Sequence, residues 1–474
     1  MNRLLLKILI SLAMGASIVG LYSCGAAGGN QVADGGIGGT GITQGRVTSF
    51  GSIYVNGIEF NTDNASFTVN NIDATQNDLA IGMVVRISGS SDSENATGEA
   101  ESVTYDSLIE GVVNSNDIAS NNTLTVMNQI VSVDSDTVYE NRFDATLLED
   151  LPANSEVEVS GFTDGSGTIL ATRIEVKSLA WAGGELEVSG IVSAISGDQF
   201  QIGSLTIDAS NLSSIPPEGT FVEVEGSSFS GDLFVATSIE IESESSSSVA
   251  EDGEEVEIEG QITEALDAND LFSLNGQVVD ASATPLSGAT DQLTVGRVAE
   301  VEGVMNGDIL LAEEIELKAV ASERGEIGAI LGVDNVDTAA GTLTLLGQTI
   351  RVDNSTIMEN EVGENSSFTL SQLTSSDYLE AKVYFDNGTL VASKLELEHP
   401  PSTHDAEVEG IPVSIDDSTI EIFGIRIDTS GVSYSFASRQ TEVEGNYADG
   451  VLIATSIEVE DSEGDGHSDG DGEE

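Results

Sequence analysis

The sequence predicts an all-β protein: a tandem array of about six small, OB-like β-barrel modules, with an N-terminal signal peptide and a disordered acidic tail. Three observations carry this. A closing phrase recurs along the chain, an alternating strand ending in Gly, a polar turn, and a second alternating strand. One copy is Phe221-Val222-Glu223-Val224-Glu225-Gly226 followed by Leu233 to Glu242, and another is Thr441 to Gly445 followed by Leu452 to Glu460. Repetition of this kind marks an array of like units. Val and Ile alternate with Glu and Thr in these phrases, the period-two signature of strands with one buried face. Finally, 474 residues exceed what one core serves, and helical periodicity is almost absent.

Taken in order, Met1 to Lys7 carries Arg3 and Lys7, and Ile8 to Gly20 is an apolar run of signal-peptide length. Leu21-Tyr22-Ser23-Cys24 then places small residues before the chain's single cysteine. These residues resemble the lipobox of bacterial lipoproteins, with Tyr22 bulkier than the usual residue there. The resemblance implies a signal peptide over 1–23, cleavage before Cys24 and lipidation of Cys24. Gly25 and Ala26, rather than Asp, follow the cysteine, which by the same resemblance implies the outer membrane. Residues 24–40 read as a Gly-rich tether. Modules are expected at 41–109, 110–178, 187–243, 256–319, 325–398 and 407–460, and 461–474 is the acidic tail. The Ser- and Glu-rich stretch from Ser243 reads as a solvated linker, and His399-Pro400-Pro401 as a stiff break.

Each module shows about five strands. An opening strand follows a Gly, a short strand and turn come next, and a third strand often ends in Asp, as at Asp353 and Asp428. Units this small favour a closed barrel, because closure removes sticky edges. The recurrent Gly89, Gly161, Gly226, Gly303 and Gly445 suit a bulge or barrel corner. Phe368 to Tyr378 has room for a turn or two of helix.

Lys and Arg total 15 against 82 Asp and Glu, a net charge of −67. Such a surface repels phosphate backbones, so nucleic acid is excluded as a partner. It attracts divalent cations and basic envelope proteins. Self-repulsion between modules is expected to be relieved by salt, compacting the array.

No catalytic, cofactor-binding or metal-ligating residue is expected. There is no nucleophile elbow, phosphate loop or dinucleotide fingerprint. Gly165-Ser166-Gly167 reads as a hairpin turn. Glu223, Glu225, Glu240 and Glu242 fall on the outward phase of strands and are expected to be solvated, with ordinary pKa values. His399, His404 and Asp405 sit around a Pro-Pro break that supports a metal site poorly, and His467 lies in a tail without EF-hand order. Trp181, between the second and third modules, is expected to be a packing plug.

Gly45-Arg46-Val47-Thr48-Ser49-Phe50-Gly51-Ser52-Ile53-Tyr54-Val55-Asn56-Gly57-Ile58-Glu59-Phe60 resembles the start of an uncharacterised bacterial family: tandem small β-barrel domains of unknown function in exported lipoproteins. The resemblance implies a barrel module and no catalytic residue. The expected function is a lipid-anchored cell-envelope array, held to the membrane by lipid on Cys24, with a structural, adhesive or binding role and no catalysis. The alternatives are an envelope enzyme acting on polysaccharide, or a cation-binding surface protein. Converging desolvated carboxylates in a deep cleft would favour the enzyme, and uniformly exposed Glu the array.

Overall fold

The computed structural model describes residues 39–93, 95–143, 147–164, 167–241, 250–284, 293–318, 324–332, 335–362, 367–386 and 388–459. The signal peptide, Cys24, most of the tether, Gly165-Ser166, Glu242, much of the Ser-rich linker and the tail with His467 lie outside these residues.

In the first barrel the opening strand Gly39–Phe50 is followed by Ile53–Val55, Ile58–Asn61, Val84–Asp92 and Thr97–Tyr105. The first strand pairs antiparallel with the second, the second with the third, and the third runs parallel to the fifth. The fifth returns antiparallel to the fourth, and the fourth to the first. The circuit 1-2-3-5-4-1 is that of an OB-like barrel, and all six units trace it. In the fifth and sixth the opening strand is interrupted: Arg324–Ile330 resumes at Val336–Asp337, and Ala406–Gly410 resumes at Val413–Asp416 beyond Pro412. In the sixth, Pro412 has no N–H to give the ladder; the fifth is interrupted without a proline.

Local chemistry sets each turn. Between the second and third strands two-residue hairpins take left-handed backbone, with φ of 51° and 79° at Asn56-Gly57 and 46° and 73° at Asn275-Gly276. At the end of the third strand an Asx oxygen accepts from the N–H two residues on. Asn61 (2.9 Å), Asp134 (3.0 Å), Asp208 (2.9 Å), Asp280 (2.8 Å), Asp353 (3.1 Å) and Asp428 (2.9 Å) do so in turn. The Asp read from sequence at this point is therefore a turn device. The register shifts by one residue at Gly89, Gly161, Gly226, Gly303 and Gly445, where the fourth strand bulges against the fifth. Between Phe368 and Tyr378 the helical content is one 3-10 turn, Leu370–Gln372.

The opening strand also bulges midway, at Val47/Ser49 in the first barrel and Val113/Ser115 in the second. Past the bulge it pairs with the second strand; before it, one edge is left for another barrel. Gly41–Gln44 pairs parallel with Glu255–Ile258, joining the first barrel to the fourth. Glu110 and Ile109 pair antiparallel with Glu187 and Val188, joining second to third, and Glu326–Ala329 pairs with Glu409–Ala406, joining fifth to sixth. The sequence reading as a string of separate modules is thus amended. Unpaired backbone edges are costly, and each opening strand covers its own against a partner. Buried apolar side chains of the second and third barrels form one continuous core, as do those of the fifth and sixth; Ile42 of the first barrel joins the core of the fourth.

Candidate binding site at the barrel junction

A cavity of about 730 Å³ lies where the first, second, fourth and fifth barrels meet. Five of the chain's 15 Lys and Arg line it: Arg46, Arg297, Lys318, Arg324 and Arg351. Most are committed. Arg46 of the first barrel pairs with Glu259 of the fourth at 2.9 Å, through both Nε and Nη2. Arg324 of the fifth pairs with Asp136 of the second, whose other oxygen accepts from Ser393 Oγ at 2.8 Å. Lys318 is held by Glu300 at 2.8 Å and Glu316 at 3.2 Å, and Arg351 by Asp386 at 3.1 Å and Asp353 at 3.6 Å. Burial alone would lower the pKa of Arg46; Glu259, Asp136 and Asp134 outweigh it and hold the guanidinium charged. Burial is likewise overcome at Asp136, which Arg324 and Arg46 keep ionised, whereas burial and Asp136 push Asp134 up.

Arg297 is different. It sits in the turn before the fourth strand of the fourth barrel, and its Nη2 donates to Lys318 O at 3.0 Å. Among the described residues its buried Nε has no hydrogen-bond partner and no carboxylate pairs with it. Beside it Gln261, also buried, donates through Nε2 to Gly296 O at 3.3 Å while its Oε1 goes unpartnered.

The junction is pinned by further contacts between barrels. Thr48 Oγ1 donates to Asn354 O at 2.8 Å and Asn354 Nδ2 to Gly57 O at 2.9 Å. Ile81, Val138 and Ile357, from three barrels, form a small apolar core.

The glutamates depart from the sequence reading. Glu223 is 3% exposed, not solvated, because the outer face of one barrel is covered when another docks on it. Glu225 is half-buried, and of the four named glutamates Glu240 stays exposed while Glu242 lies outside the described residues. Cross-strand pairing sets Glu225, Glu187, Glu110, Glu158 and Glu175 side by side across the joined second and third barrels. Burial first, then Glu223 and Glu110, pushes Glu187 up to about 8. Burial and neighbouring carboxylates raise Glu361 and Glu398 to about 7. In the fifth and sixth barrels Glu326, Glu380 and Glu407 converge, as do Glu380, Glu396 and Glu398. Lys382 bridges Glu326 and Glu380, and Lys394 is held by Glu359 at 2.7 Å and Glu396 at 2.8 Å.

His404 contacts Glu407 at 3.2 Å and Glu444 at 3.4 Å, Asp405 accepts from Tyr447 N at 2.9 Å, and His399 lines a separate cavity with Glu361 and Glu398. The structure does not gather the three into one ligand set. Trp181 packs on the core shared by the second and third barrels. Sequence reasoning missed the junction cavity. The available signal was the rarity of cations: where so few are kept, their positions carry information.

Four stretches of the chain, 44–104, 110–175, 246–316 and 328–396, match a domain of unknown function, DUF5666, and together span over half of it. The chain belongs to the DUF5666 family. No curated protein matches it. The third and sixth barrels fall outside the matched stretches, yet their strand circuit is that of the matched DUF5666 units. The repeat therefore extends further in three dimensions than in sequence.

Proposed function

We propose that this chain is a non-catalytic binding and structural protein of the bacterial cell envelope, anchored to the outer membrane by lipid on Cys24. The observation that carries the binding role is the junction cavity. It is walled by four barrels that are cross-braced by ion pairs, so it keeps its form without a ligand. Preorganisation of this kind favours recognition. Its carboxylates support binding over catalysis: Glu259, Asp136, Glu300 and Asp386 are each engaged by a cationic partner of the protein's own. The apolar run before Cys24, with the tether after it, supports the anchor.

The converging glutamates of the fifth and sixth barrels favour, as a second reading, uptake of divalent cations, although Lys382 and Lys394 already neutralise much of that charge.

The test joins localisation to activity. Cells expressing the protein are labelled with palmitate, and the purified protein is incubated with envelope polysaccharides. Label on the wild type but not on Cys24→Ala, with polysaccharide retained and uncleaved, is the expected result. Release of fragments would establish the enzyme instead, and an unlabelled, soluble wild type would remove the anchor.

A further inference from the structure

We infer that the junction cavity takes an acidic sugar, a saccharide bearing a carboxylate or phosphate, whose anion is received by Arg297. This rests on the reading of the cavity as a binding site and names its ligand class. Of the five cations in the cavity, four face carboxylates within 4.0 Å, and among the described residues Arg297 alone does not. Its single protein acceptor is a backbone carbonyl. Arg297 is half-buried, no protein acceptor takes its Nη1 among the described residues, and the edge formed by Nη1 and the second N–H of Nη2 matches two oxygens of a carboxylate or phosphate. Of the cavity's acidic groups, those in ion pairs are spent on Arg46, Arg324, Lys318 and Arg351, and Asp134 accepts from Asp136 N and Thr137 Oγ1, so no carboxylate is paired with Arg297 among the described residues.

The rest of the lining selects the body of the ligand. Gln261 Oε1 is an acceptor without a donor among the described residues. Asn56, Ser355 and the ion-paired carboxylates add further polar groups to the lining, which suits hydroxyl groups, each both donor and acceptor. The Tyr384 ring supplies an apolar face of the kind a sugar ring covers. A purely apolar ligand would strand these groups without partners. The cavity's volume falls within the roughly 300–1,000 Å³ range of small-molecule sites. Seven carboxylates line the cavity against five cations, so the anion is drawn by Arg297 itself and not by the summed charge of the cavity.

The experiment is calorimetric titration of the full-length protein with trigalacturonate, its neutral methyl ester and glucose 1-phosphate, against wild type, Arg297→Gln, Arg297→Lys and the surface control Arg439→Gln. Binding of one or both acids is expected. The ester should bind at least tenfold more weakly than trigalacturonate. Arg297→Gln should lose at least tenfold for whichever acid binds, Arg297→Lys should fall between, and Arg439→Gln should match wild type. Which acid binds names the anionic group. The inference is overturned if neither acid binds, if ester and acid bind alike, or if Arg297→Gln and Arg297→Lys both bind as wild type. Cleavage of trigalacturonate would be a separate failure, of the non-catalytic reading and not of the assignment to Arg297.

Discussion

At Glu187, two joined barrels place a carboxyl where charge is unwelcome. Its Oε1 accepts from Ser107 Oγ at 3.3 Å, while Glu223, Glu110 and Asp106 all oppose its ionisation. Its folded pKa of about 8 stands above the ordinary glutamate value of 4.5. The folded state therefore holds a proton that the unfolded chain has released. This contribution is fully present below about 4.5 and is lost as pH rises toward 8. Thermal melts between pH 5 and 8 should show stability falling as pH rises, by up to about 1.4 kcal/mol per unit for this one group. Glu187→Gln should flatten that slope; an unchanged slope would place the titration elsewhere. In the fourth barrel, Val301 is fully buried, and Val301→Asp should cost several kcal/mol, read as loss of a folded transition in denaturant. Val301 could be read as core from its alternation with Glu300 and Glu302. The fate of Glu187 could not, because period two tells which face a side chain takes and not what later covers that face. Arg297 was illegible for the same reason: its surroundings come from Gln261 and Lys318 of its own barrel and from barrels distant in sequence.

The fourth and fifth strands of each unit turn on a glycine that the repeat displays openly. A Cβ on Gly303 would press on the carbonyl oxygen of Leu311 across the bulge, and one on Gly89 on that of Glu99. Backbone atoms of a closed barrel cannot step aside as a flexible side chain would. We expect Gly303→Val to destabilise the fourth barrel by about 2–4 kcal/mol, in line with overpacking plus a disturbed bulge. Denaturant midpoints should fall less for Gly307→Ala, whose Cβ meets open space and whose φ of 61° adds only about 1–2 kcal/mol of backbone strain, than for Gly303→Val. Equal midpoints would mean that the bulge can relax. The fifth barrel carries its bulge at Lys382/Val383 without glycine, so the requirement follows local approach and not the repeat itself. Barrel closure and bulges were thus legible from short strands and recurrent Gly. The break at Pro412 within the sixth opening strand was not, since the strand resumes beyond it.

The whole molecule is organised by pairs. Charge alone suggested modules held apart by repulsion and drawn in by salt. Strand pairing at Gly41–Gln44 with Glu255–Ile258, and at the other two seams, holds the partners together regardless of screening. The fragment 110–241, carrying the second and third barrels on one core, should melt as a single cooperative unit by calorimetry. Two resolved transitions would show that the seam adds no coupling. The isolated fourth barrel, residues 256–319, should still fold as a β domain by circular dichroism. Its melting point should lie below that of the same barrel joined to the first, because Ile42 no longer covers its core.

The seam between the first and fourth barrels also imposes an order in time. Gly41 meets Glu255, and the chain between them must be made first. Counted from the end of the first barrel at Tyr105, synthesis at roughly 5–20 residues per second makes this a delay of about 8–30 s. Throughout it the newborn first barrel displays a bare strand edge, while the second and third barrels, adjacent in the chain, can already have found each other. The residues on that waiting edge are Gly41, Ile42, Thr43 and Gln44, short or polar for the most part and poor at recruiting strangers. A nascent chain stalled before residue 255 would be the species most prone to pair with its neighbour on the next ribosome.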